Sequence, residues 1–386
     1  MKIAIIDPSC FTPQYDHALC NAISNQGCEV IFFGSRYLYE EFYFRSNYIK
    51  TNLFYNFTNR LYHNKPNGFL RAEIKGIEHL KNMYELKSFL KKIKPSIIHF
   101  QWMPLPFVDK YFIKSLKTIA PCILTLHDVF PYQNAPSSKI QLLNFSNALK
   151  DFDHLIVHTS SAFKKIIEEF NIPECRISIV PHGIFEHYKQ QVIYNTDSDD
   201  YNSIVFFGTL KPYKGLDILI EAYARLPLEL QKKYKLVIAG VPKMNLCKLK
   251  DLAEKVGVDK NIEWHLGFIP ENKVGAILNK AVIFVLPYRF FEAQSGALMA
   301  MLPFSRPFIV TNIESFREIL KDGVHGYLVE PNDVTSLTSA LNKILSDPQK
   351  LKTMADSVSS LLNDEFSWDK IACKTIKIYR NLIKNG

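Results

Sequence analysis

The chain has 386 residues, which is long enough for two domains of ordinary size, each with its own hydrophobic core. Its formal net charge of +9 favours anionic partners but does not choose among nucleic acid, lipid headgroups and sugar nucleotides. Seven cysteines have no metal-ligand spacing and form no even disulfide framework, so we predict a reducing, cytoplasmic setting. Met1 to Asp7 leads directly into a strand, and no apolar run reaches transmembrane length, so we expect no signal peptide and a soluble or peripheral protein.

The first elements indicate an α/β protein. Strand-length apolar runs alternate with helix-like segments from Lys2 onward, which predicts two units with parallel sheets. The loop after the first strand, Pro8 to Leu19, contains no Gly-x-Gly-x-x-Gly, and no acidic residue ends a well-placed second strand. These absences disfavour a dinucleotide-dependent oxidoreductase or epimerase, which stays as the alternative enzyme because Rossmann-type domains also bind diphosphates.

The segment from Arg36 to Arg71 interleaves aromatic and basic residues. Such a mixture suits a surface that meets an anionic membrane or a lipid-diphosphate acceptor. An equally weighted alternative is that half of the rings belong to the core and the rest to an irregular loop. No recognisable nucleic-acid module accompanies the segment, so we expect no nucleic-acid partner.

Histidines occur in or after two predicted strands. His99 lies within the strand Ile97 to Trp102, and His127 and Asp128 directly follow the strand Ile123 to Leu126. Residues that follow parallel strands lie at the carboxyl edge of the sheet, where ligands bind. From position alone, a capping or core role for His127 is the commoner interpretation.

A polar stretch from Phe185 to Asn202 separates the two predicted domains, residues 1–184 and 203–368, and is interpreted as their linker. It contains the acidic run Asp197 to Asp200. An Asp-x-Asp pattern can bind a metal ion, but nothing in this stretch would orient it. We therefore interpret the run as a solvated acidic loop and predict no metal site.

The stretch Ser203 to Tyr223 joins a strand to a helix through a loop with two lysines. An apolar run ends at Gly208, and helical periodicity begins at Leu216, so Lys211 and Lys214 lie in the strand-to-helix turn. Two cations and the free N–H groups of a helix start favour a diphosphate ligand. An ordinary solvated turn is the alternative.

A second strand–loop–helix unit spans Ala281 to Leu320. After the predicted strand Val282 to Leu286, the loop presents Glu292, and Ser295 and Gly296 open a helix that runs to about Met301. Small residues at a helix start let a phosphate approach the backbone, and a carboxylate nearby can accept hydrogen bonds from sugar hydroxyls. This pattern predicts that one loop binds the diphosphate and the next the sugar.

The order of these motifs resembles the retaining nucleotide-sugar glycosyltransferases of family 4 over nearly the full length of the chain. The resemblance implies the GT-B fold, in which two Rossmann-like domains with doubly wound parallel sheets face each other across a cleft. Its landmarks are TLHD, VPHGI, Gly208 with Lys214-Gly215, LVIAG, HLGFIPENKV, VLPY with Glu292 and Ser295-Gly296, GVHGYLVEPND and the final FSWDKIACKTIKIYR.

Carried over position by position, the resemblance assigns Lys214 to the donor diphosphate, together with Gly208, Ser295 and Gly296. The family often has an arginine directly after the strand glycine, whereas this chain has Thr209. The nearby Lys211 can substitute for it, so both Thr209 and Lys211 are included in the predicted diphosphate site.

The sugar site implied by the resemblance contains Glu292, Gln294 and His127. Glu292 matches the first of two family glutamates, and the second, which usually holds the ribose, falls on Ala300. We interpret the absence of the second glutamate as a variant of the family, because the sequence QSGAL from Gln294 to Leu298 resembles a branch in which that glutamate is replaced. The predicted catalytic residues are His127, Glu292 and Lys214.

The remaining roles follow from the same resemblance. Phe268 and Ile269 match the positions that hold the base, and the last helix, 369–386, crosses back to the first domain. Gln14, Tyr15 and Trp102 are placed on the acceptor side. The expected reaction transfers a sugar from a UDP- or GDP-sugar to a lipid-linked glycan acceptor in bacterial cell-surface polysaccharide synthesis, without a metal or other cofactor. A nucleotide-sugar-binding subunit of a glycosyltransferase complex is the alternative outside the enzymes.

Overall fold

A computed structural model describes residues 1–37, 46–62, 69–129, 142–190, 202–362 and 365–385. The chain divides into two compact units. Unit 1 comprises Met1–Gly183 and Ser367–Gly386, and unit 2 comprises Ile184–Phe366. Each unit contains one sheet whose paired strands are all parallel, so the predicted α/β class with two parallel-sheet domains is confirmed.

The sheet of unit 1 has seven strands in the order β3-β2-β1-β4-β5-β6-β7. The strands are β1 (Lys2–Asp7), β2 (Glu29–Ser35), β3 (Ile49–Phe54), β4 (Ile97–Phe100), β5 (Cys122–Leu126), β6 (His154–Val157) and β7 (Ile177–Ile179). The described α-helices of this unit are Pro13–Asn25, Asn56–Leu61, Phe69–Ile93, Pro106–Leu116, Phe145–Asp151, Ser160–Phe170 and Trp368–Asn385.

The sheet of unit 2 has six strands in the order β10-β9-β8-β11-β12-β13. The strands are β8 (Ser203–Phe207), β9 (Lys235–Gly240), β10 (Ile262–Leu266), β11 (Ala281–Leu286), β12 (Phe308–Thr311) and β13 (Gly326–Val329). The described α-helices are His187–Gln190, Leu216–Ala224, Leu228–Lys233, Cys247–Lys255, Glu271–Asn279, Gly296–Met301, Glu314–Arg317, Val334–Leu345 and Pro348–Leu361.

Both sheets reverse their strand order beside the first strand of the unit. In unit 1 the chain moves outward from β1 to β3 and returns to the other side of β1 with β4. In unit 2 it moves from β8 to β10 and returns beside β8 with β11. The loops that leave the two strands at such a switch point diverge to opposite faces, which opens a crevice at their carboxyl ends.

Strand β1 shows why a buried strand of this protein is a continuous apolar run in the sequence. Ala4 and Ile6 pack into one hydrophobic cluster, and Ile3 and Ile5 pack into the other. Because helices cover both faces of the sheet, residues of both parities are buried. The second cluster includes Ile376 of the carboxyl-terminal helix, which therefore packs on the first domain's sheet within unit 1.

Two predicted boundaries differ from the structure. The strand predicted for Ile97 to Trp102 ends at Phe100, so Trp102 lies in the following loop. The start of the predicted linker is packed into unit 2, where Phe185 and Tyr188 are buried and His187–Gln190 is helical. The acidic run Asp197 to Asp200 and parts of Arg36 to Arg71, namely residues 38–45 and 63–68, lie outside the described residues.

Candidate active site

Gly208 and Lys214 meet at the carboxyl end of β8. Gly208 has a φ of +124°, which a side chain rarely permits, and a Cβ atom there would lie 3.0 Å from Nζ of Lys214. The same Cβ would lie 3.2 Å from Cβ of Ala297, at the start of the helix Gly296–Met301. The predicted diphosphate residues Gly208, Lys214 and Gly296 are therefore brought to one place by two different loops.

The ammonium group of Lys214 is buried without a compensating carboxylate. Its Nζ lies 4.9 Å from the centre of the Tyr288 ring and 5.8 Å from that of Phe206. Burial lowers the pKa of Lys214 to about 7, and no charged group of the described residues contributes to that pKa. A buried cation without a counterion is costly, so an anionic ligand at this position would stabilise the charged form.

The Lys214 loop is fixed to the loop that carries Glu292. Gly215 has a φ of +68°, and a Cβ atom there would lie 2.1 Å from the carbonyl oxygen of Pro287. The backbone N–H of Arg289 donates to the carbonyl oxygen of Tyr213 over 2.7 Å. The rings of Tyr213 and Phe291 stack beside this bond, with their centres 5.8 Å apart and their planes at 4°. Motion of one loop must therefore move the other.

Ser295 ends the second loop and begins the helix. Its Oγ caps the helix by accepting the N–H of Leu298, and the hydroxyl of Tyr288 lies 3.3 Å from the same oxygen. Gly296 is exposed, with open space where a side chain would be. A ligand can therefore approach this backbone closely.

The other donor-side residues are less closely grouped. Thr209, Lys211 and Glu292 are half-buried, and Nζ of Lys211 lies 5.8 Å from the centre of the Tyr213 ring. Gln294 is buried, with its amide nitrogen 3.8 Å from the sulfur of Met299, so its side chain points into the protein. Ala300, where the second glutamate was expected, is also buried.

The predicted base-binding residues lie at the same edge of the sheet but at its far strand. Phe268 and Ile269 follow β10 and are half-buried. Gly267, with a φ of +107°, donates its N–H to the carbonyl oxygen of Gly240 at the end of β9. Strand β9 therefore separates this loop from the Lys214 loop.

In unit 1, His127 and Trp102 stack at the carboxyl edge. Their rings are 5.2 Å apart at 18°, and the indole N–H of Trp102 donates to Oγ1 of Thr12. The rings of Tyr15 and His127 are nearly perpendicular with their centres 4.6 Å apart, and Gln14 beside Tyr15 is half-buried. The predicted acceptor-side residues and His127 are thus neighbours.

Sequence reasoning missed the partners that hold His127. Nε2 of His127 lies 3.0 Å from the amide oxygen Oε1 of Gln101, and its Nδ1 lies 3.3 Å from Nε2 of His158. His158 follows β6 just as His127 follows the neighbouring β5, and this shared position after adjacent strands was the available signal. Burial, followed by the nearby His158 and His182, lowers the pKa of His127 well below its usual range, so the ring is neutral.

Two carboxyl groups meet beneath the first loop. The carboxylate of Asp7 accepts backbone N–H groups from Ser9, Phe11 and Thr12. Burial and the charge of Asp7 raise the pKa of Asp16 well above its usual range. Neither oxygen of Asp16 has a well-aligned hydrogen-bond donor among the described residues. A protonated Asp16 that donates to Asp7 accounts for both facts.

The described residues contain no group of three or more His, Cys, Asp or Glu side chains placed to hold a metal ion. Within the same ranges, no helix combines the length and the apolar composition needed to cross a bilayer.

Two family models match the chain. Residues 14–186 match the model described as Glycosyltransferase Family 4, and residues 190–359 match the model described as Glycosyl transferases group 1. The first match falls on unit 1 apart from its last three residues, and the second falls within unit 2.

Among curated proteins, two uncharacterized glycosyltransferases of Methanocaldococcus jannaschii are similar to the chain. MJ1607 is 27% identical over 58% of this chain and 59% of its own length, and MJ1178 is 25% identical over 84% and 86%. The lipopolysaccharide 1,2-N-acetylglucosaminetransferase of Salmonella typhimurium is 25% identical over 59% of this chain and 62% of its own length. The chain thus spans less than two thirds of MJ1607 and of the Salmonella enzyme.

Two solved structures share the fold. Sucrose-phosphate synthase from Thermosynechococcus elongatus has a TM-score of 0.75 at 16% identity and covers 100% of both chains. Anabaena Alr3699/HepE in complex with UDP-glucose has a TM-score of 0.72 at 14% identity, over 99% of this chain and 100% of its own. At identities this low, the two structural matches establish the fold alone. They confirm the predicted GT-B architecture. The two family matches and the shared fold together place this chain among the GT-B glycosyltransferases that combine a family 4 amino-terminal half with a group 1 carboxyl-terminal half.

Proposed function

We propose that the chain is a retaining glycosyltransferase that moves a sugar from a nucleoside-diphosphate sugar to a glycan acceptor. The observation that carries the proposal is the buried, uncompensated ammonium of Lys214 against Gly208 at the switch point of unit 2. Such a cation, next to an open helix start at Gly296, suits a diphosphate better than it suits a neutral ligand.

The chemical task is to make a nucleoside diphosphate leave an anomeric carbon. As that bond breaks, negative charge grows on the diphosphate, and Lys214 stabilises it from a position that needs no reorganisation. Lys211 and the amides near Ser295 and Gly296 add to this stabilisation. Interactions that strengthen only as the charge develops contribute to the rate rather than to substrate binding alone.

Glu292 and His127 are proposed to orient the donor sugar. With no residue assigned as a covalent nucleophile, retention of configuration would follow from attack on the same face that the diphosphate leaves. The leaving phosphate would take the proton of the acceptor hydroxyl. In this scheme the cations of the protein neutralise the leaving group, so we expect no requirement for a divalent metal.

The substrate classes proposed here draw on the named relatives. The Salmonella relative is named for lipopolysaccharide and N-acetylglucosamine, and HepE is described in complex with UDP-glucose. We propose a UDP-sugar donor as the first choice, with GDP-sugars as the alternative. The acceptor would be a lipid-diphosphate-linked glycan of a bacterial surface polysaccharide, made at the cytoplasmic face of the membrane.

The test is a thermal-shift series of the purified protein with UDP, GDP, ADP and NAD, because a ligand that binds only the native state raises the melting temperature. One nucleoside diphosphate should stabilise the wild type, and Lys214→Met should abolish the shift. Methionine keeps the volume of the buried side chain and removes only its charge. Lys232→Met, an exposed lysine of unit 2, is the matched control and should keep the shift. Stabilisation by NAD alone, or an undiminished shift in Lys214→Met, would refute the proposal.

A nucleotide-sugar-binding subunit is the second candidate function. Two departures from the family pattern favour it: Thr209 replaces the expected arginine, and the buried Ala300 replaces the second glutamate. Transfer or slow hydrolysis of the donor by the purified chain would exclude a binding subunit, whereas tight binding without either reaction would support it. Loss of turnover in chelator, restored by Mn²⁺ or Mg²⁺, would contradict the metal-free scheme.

A further inference from the structure

Two neighbouring helices of unit 1, Phe69–Ile93 and Pro106–Leu116, present large apolar side chains to solvent. The exposed fractions are 64% for Leu70, 71% for Ile77, 41% for Leu80, 65% for Tyr84 and 65% for Tyr111. A single exposed apolar residue is ordinary, but several on adjacent helices mark an interaction surface. We call these five residues the outer stripe.

The stripe follows from the helical repeat. Leu70, Ile77 and Tyr84 are spaced by seven residues and therefore lie along one line of the helix, which continues to the exposed Lys91. The opposite side of the same helix carries Met83 and Leu86, which are fully buried in the core. The helix is thus apolar on two faces, and among the described residues the face with Met83 and Leu86 is the one that packs into the core.

The second helix extends the stripe sideways. The ring of Tyr84 packs edge-on against Phe112 with their centres 4.9 Å apart, which holds the two helices together. Tyr111 projects beside this contact, and Nζ of Lys110 lies 4.8 Å from the centre of its ring. Tyrosine rings with a lysine alongside are typical of side chains at the boundary between lipid and water.

Charge around the stripe is predominantly positive. Residues 69–116 contain nine lysines and arginines and four aspartates and glutamates. Two of these cations do not add to the charge of the stripe, because Lys75 contacts Ser9 and the ring of Tyr55 and Lys114 pairs with Asp151. Three of the four acidic groups have local partners. Asp109 contacts the buried His79, Glu78 accepts the N–H groups of Phe57 and Thr58, and Glu85 pairs with Lys81. The surface therefore combines exposed apolar groups with an excess of cations.

We propose that the outer stripe docks on an anionic lipid bilayer, with its apolar side chains in the headgroup region and the surrounding lysines against lipid phosphates. A second copy of the chain is a poorer occupant because two equally basic surfaces repel each other. The surface belongs to unit 1 alone. The inference rests on the proposed function only for its biological purpose, which is to hold the enzyme beside a lipid-linked acceptor.

The experiment is co-sedimentation of the full chain with vesicles of phosphatidylcholine containing about one third phosphatidylglycerol. The wild type should bind these vesicles and lose binding as salt is raised. The double variant Leu70→Glu/Ile77→Glu should bind about tenfold more weakly, because it removes two apolar anchors and adds two negative charges. Leu228→Glu, at a residue of unit 2 that is 70% exposed, is the matched control and should bind as the wild type does.

Three outcomes would overturn the proposal: no binding by the wild type, equal binding to pure phosphatidylcholine, or equal losses in the double variant and in Leu228→Glu. A dimer seen by sedimentation velocity and abolished by the double variant would also overturn it, because the stripe would then be a self-interface. The thermal shift with UDP is measured on every variant. It verifies folding, and it separates failure of the docking surface from failure of the donor site.

Discussion

Nδ1 of His127 lies 3.3 Å from Nε2 of His158, and this contact determines which nitrogen of each ring carries a proton. Nδ1 of His158 lies 2.8 Å from the carbonyl oxygen of Val180, which can only accept, so His158 donates there. Its Nε2 must then accept from the Nδ1–H of His127. The Nε2 atom of His127 is then left with a lone pair, whereas the atom that lies 3.0 Å from it is Oε1 of Gln101, which also only accepts. This tautomer therefore requires the Gln101 amide to turn by 180°, so that its N–H donates to His127.

The first prediction tests this arrangement. His158→Gln should disturb the orientation of His127 and lower kcat/KM about tenfold to a hundredfold, because small misplacements of a positioning group are costly. The nitrogen-15 chemical shifts of the His127 ring should also lose the pattern of a single neutral tautomer. His154→Gln is the matched control. His154 is the first residue of β6, the strand that His158 follows, but its ring bonds Oγ of Ser178 and not His127. An unchanged His127 spectrum in His158→Gln would contradict the assignment.

The second prediction concerns pH and the donor site. Burial lowers the pKa of Lys214 to about 7, whereas a bound diphosphate would raise it again, so binding above neutral pH requires uptake of a proton. The Kd for the nucleoside diphosphate should therefore increase about tenfold per pH unit between roughly pH 7.5 and 9.

Lys214→Arg provides the control, because a guanidinium stays protonated throughout this range and should remove the pH dependence. Calorimetry in buffers of different ionisation enthalpy counts the protons directly. Binding of the wild type that is independent of pH and takes up no proton would show that Lys214 is not the group that meets the diphosphate.

The third prediction concerns Asp16. A carboxyl whose pKa is raised by folding binds its proton more tightly in the native state, so its contribution to stability is present at low pH and is lost as pH rises above the unfolded value near 4. Asp16→Asn keeps a donor toward Asp7 and cannot ionise. The variant should therefore be more stable than the wild type at pH 7, by about 1–2 kcal/mol, with a smaller difference at pH 4.

Urea denaturation at both pH values measures this difference. Asp109→Asn is the contrasting variant, because Asp109 is buried but accepts hydrogen bonds from His79 and from the N–H of Leu105. It should be destabilised at neutral pH. A loss of stability in Asp16→Asn at pH 7 would show that Asp16 is ionised and supported by groups that the present assignment omits.

The sequence allowed the strand and helix bounds near the donor site to be predicted to within one residue. The predicted strand Ile204 to Phe207 is Ser203–Phe207, and the helix that opens at Gly296 ends at Met301 as expected. Buried parallel strands make uninterrupted apolar runs, and glycine marks their ends, so periodicity alone is informative here.

The contacts that join separate segments could not be predicted in this way. Spacing gives no indication that Gln101 and His158 flank His127, because those contacts depend on which strands are neighbours. Polarity also misled the prediction for Phe185 to Asn202, whose first residues pack into unit 2 although the stretch as a whole is polar. The burial of Gln294 likewise depends on the path of the loop, which residue types do not specify.

The final prediction addresses the junction of the two donor-site loops. Gly215→Ala should destabilise unit 2 by about 3 kcal/mol or more and weaken nucleotide binding, because the new Cβ would meet the carbonyl oxygen of Pro287 at 2.1 Å. Gly257→Ala is a close control. Gly257 has a similar φ of +76°, but nothing lies within 4 Å of its Cβ position, so it should cost only the roughly 1 kcal/mol of a left-handed alanine. Chemical denaturation and the thermal shift with UDP measure both effects. Equal costs at the two glycines would mean that backbone conformation, and not the contact between the loops, determines the requirement for Gly215.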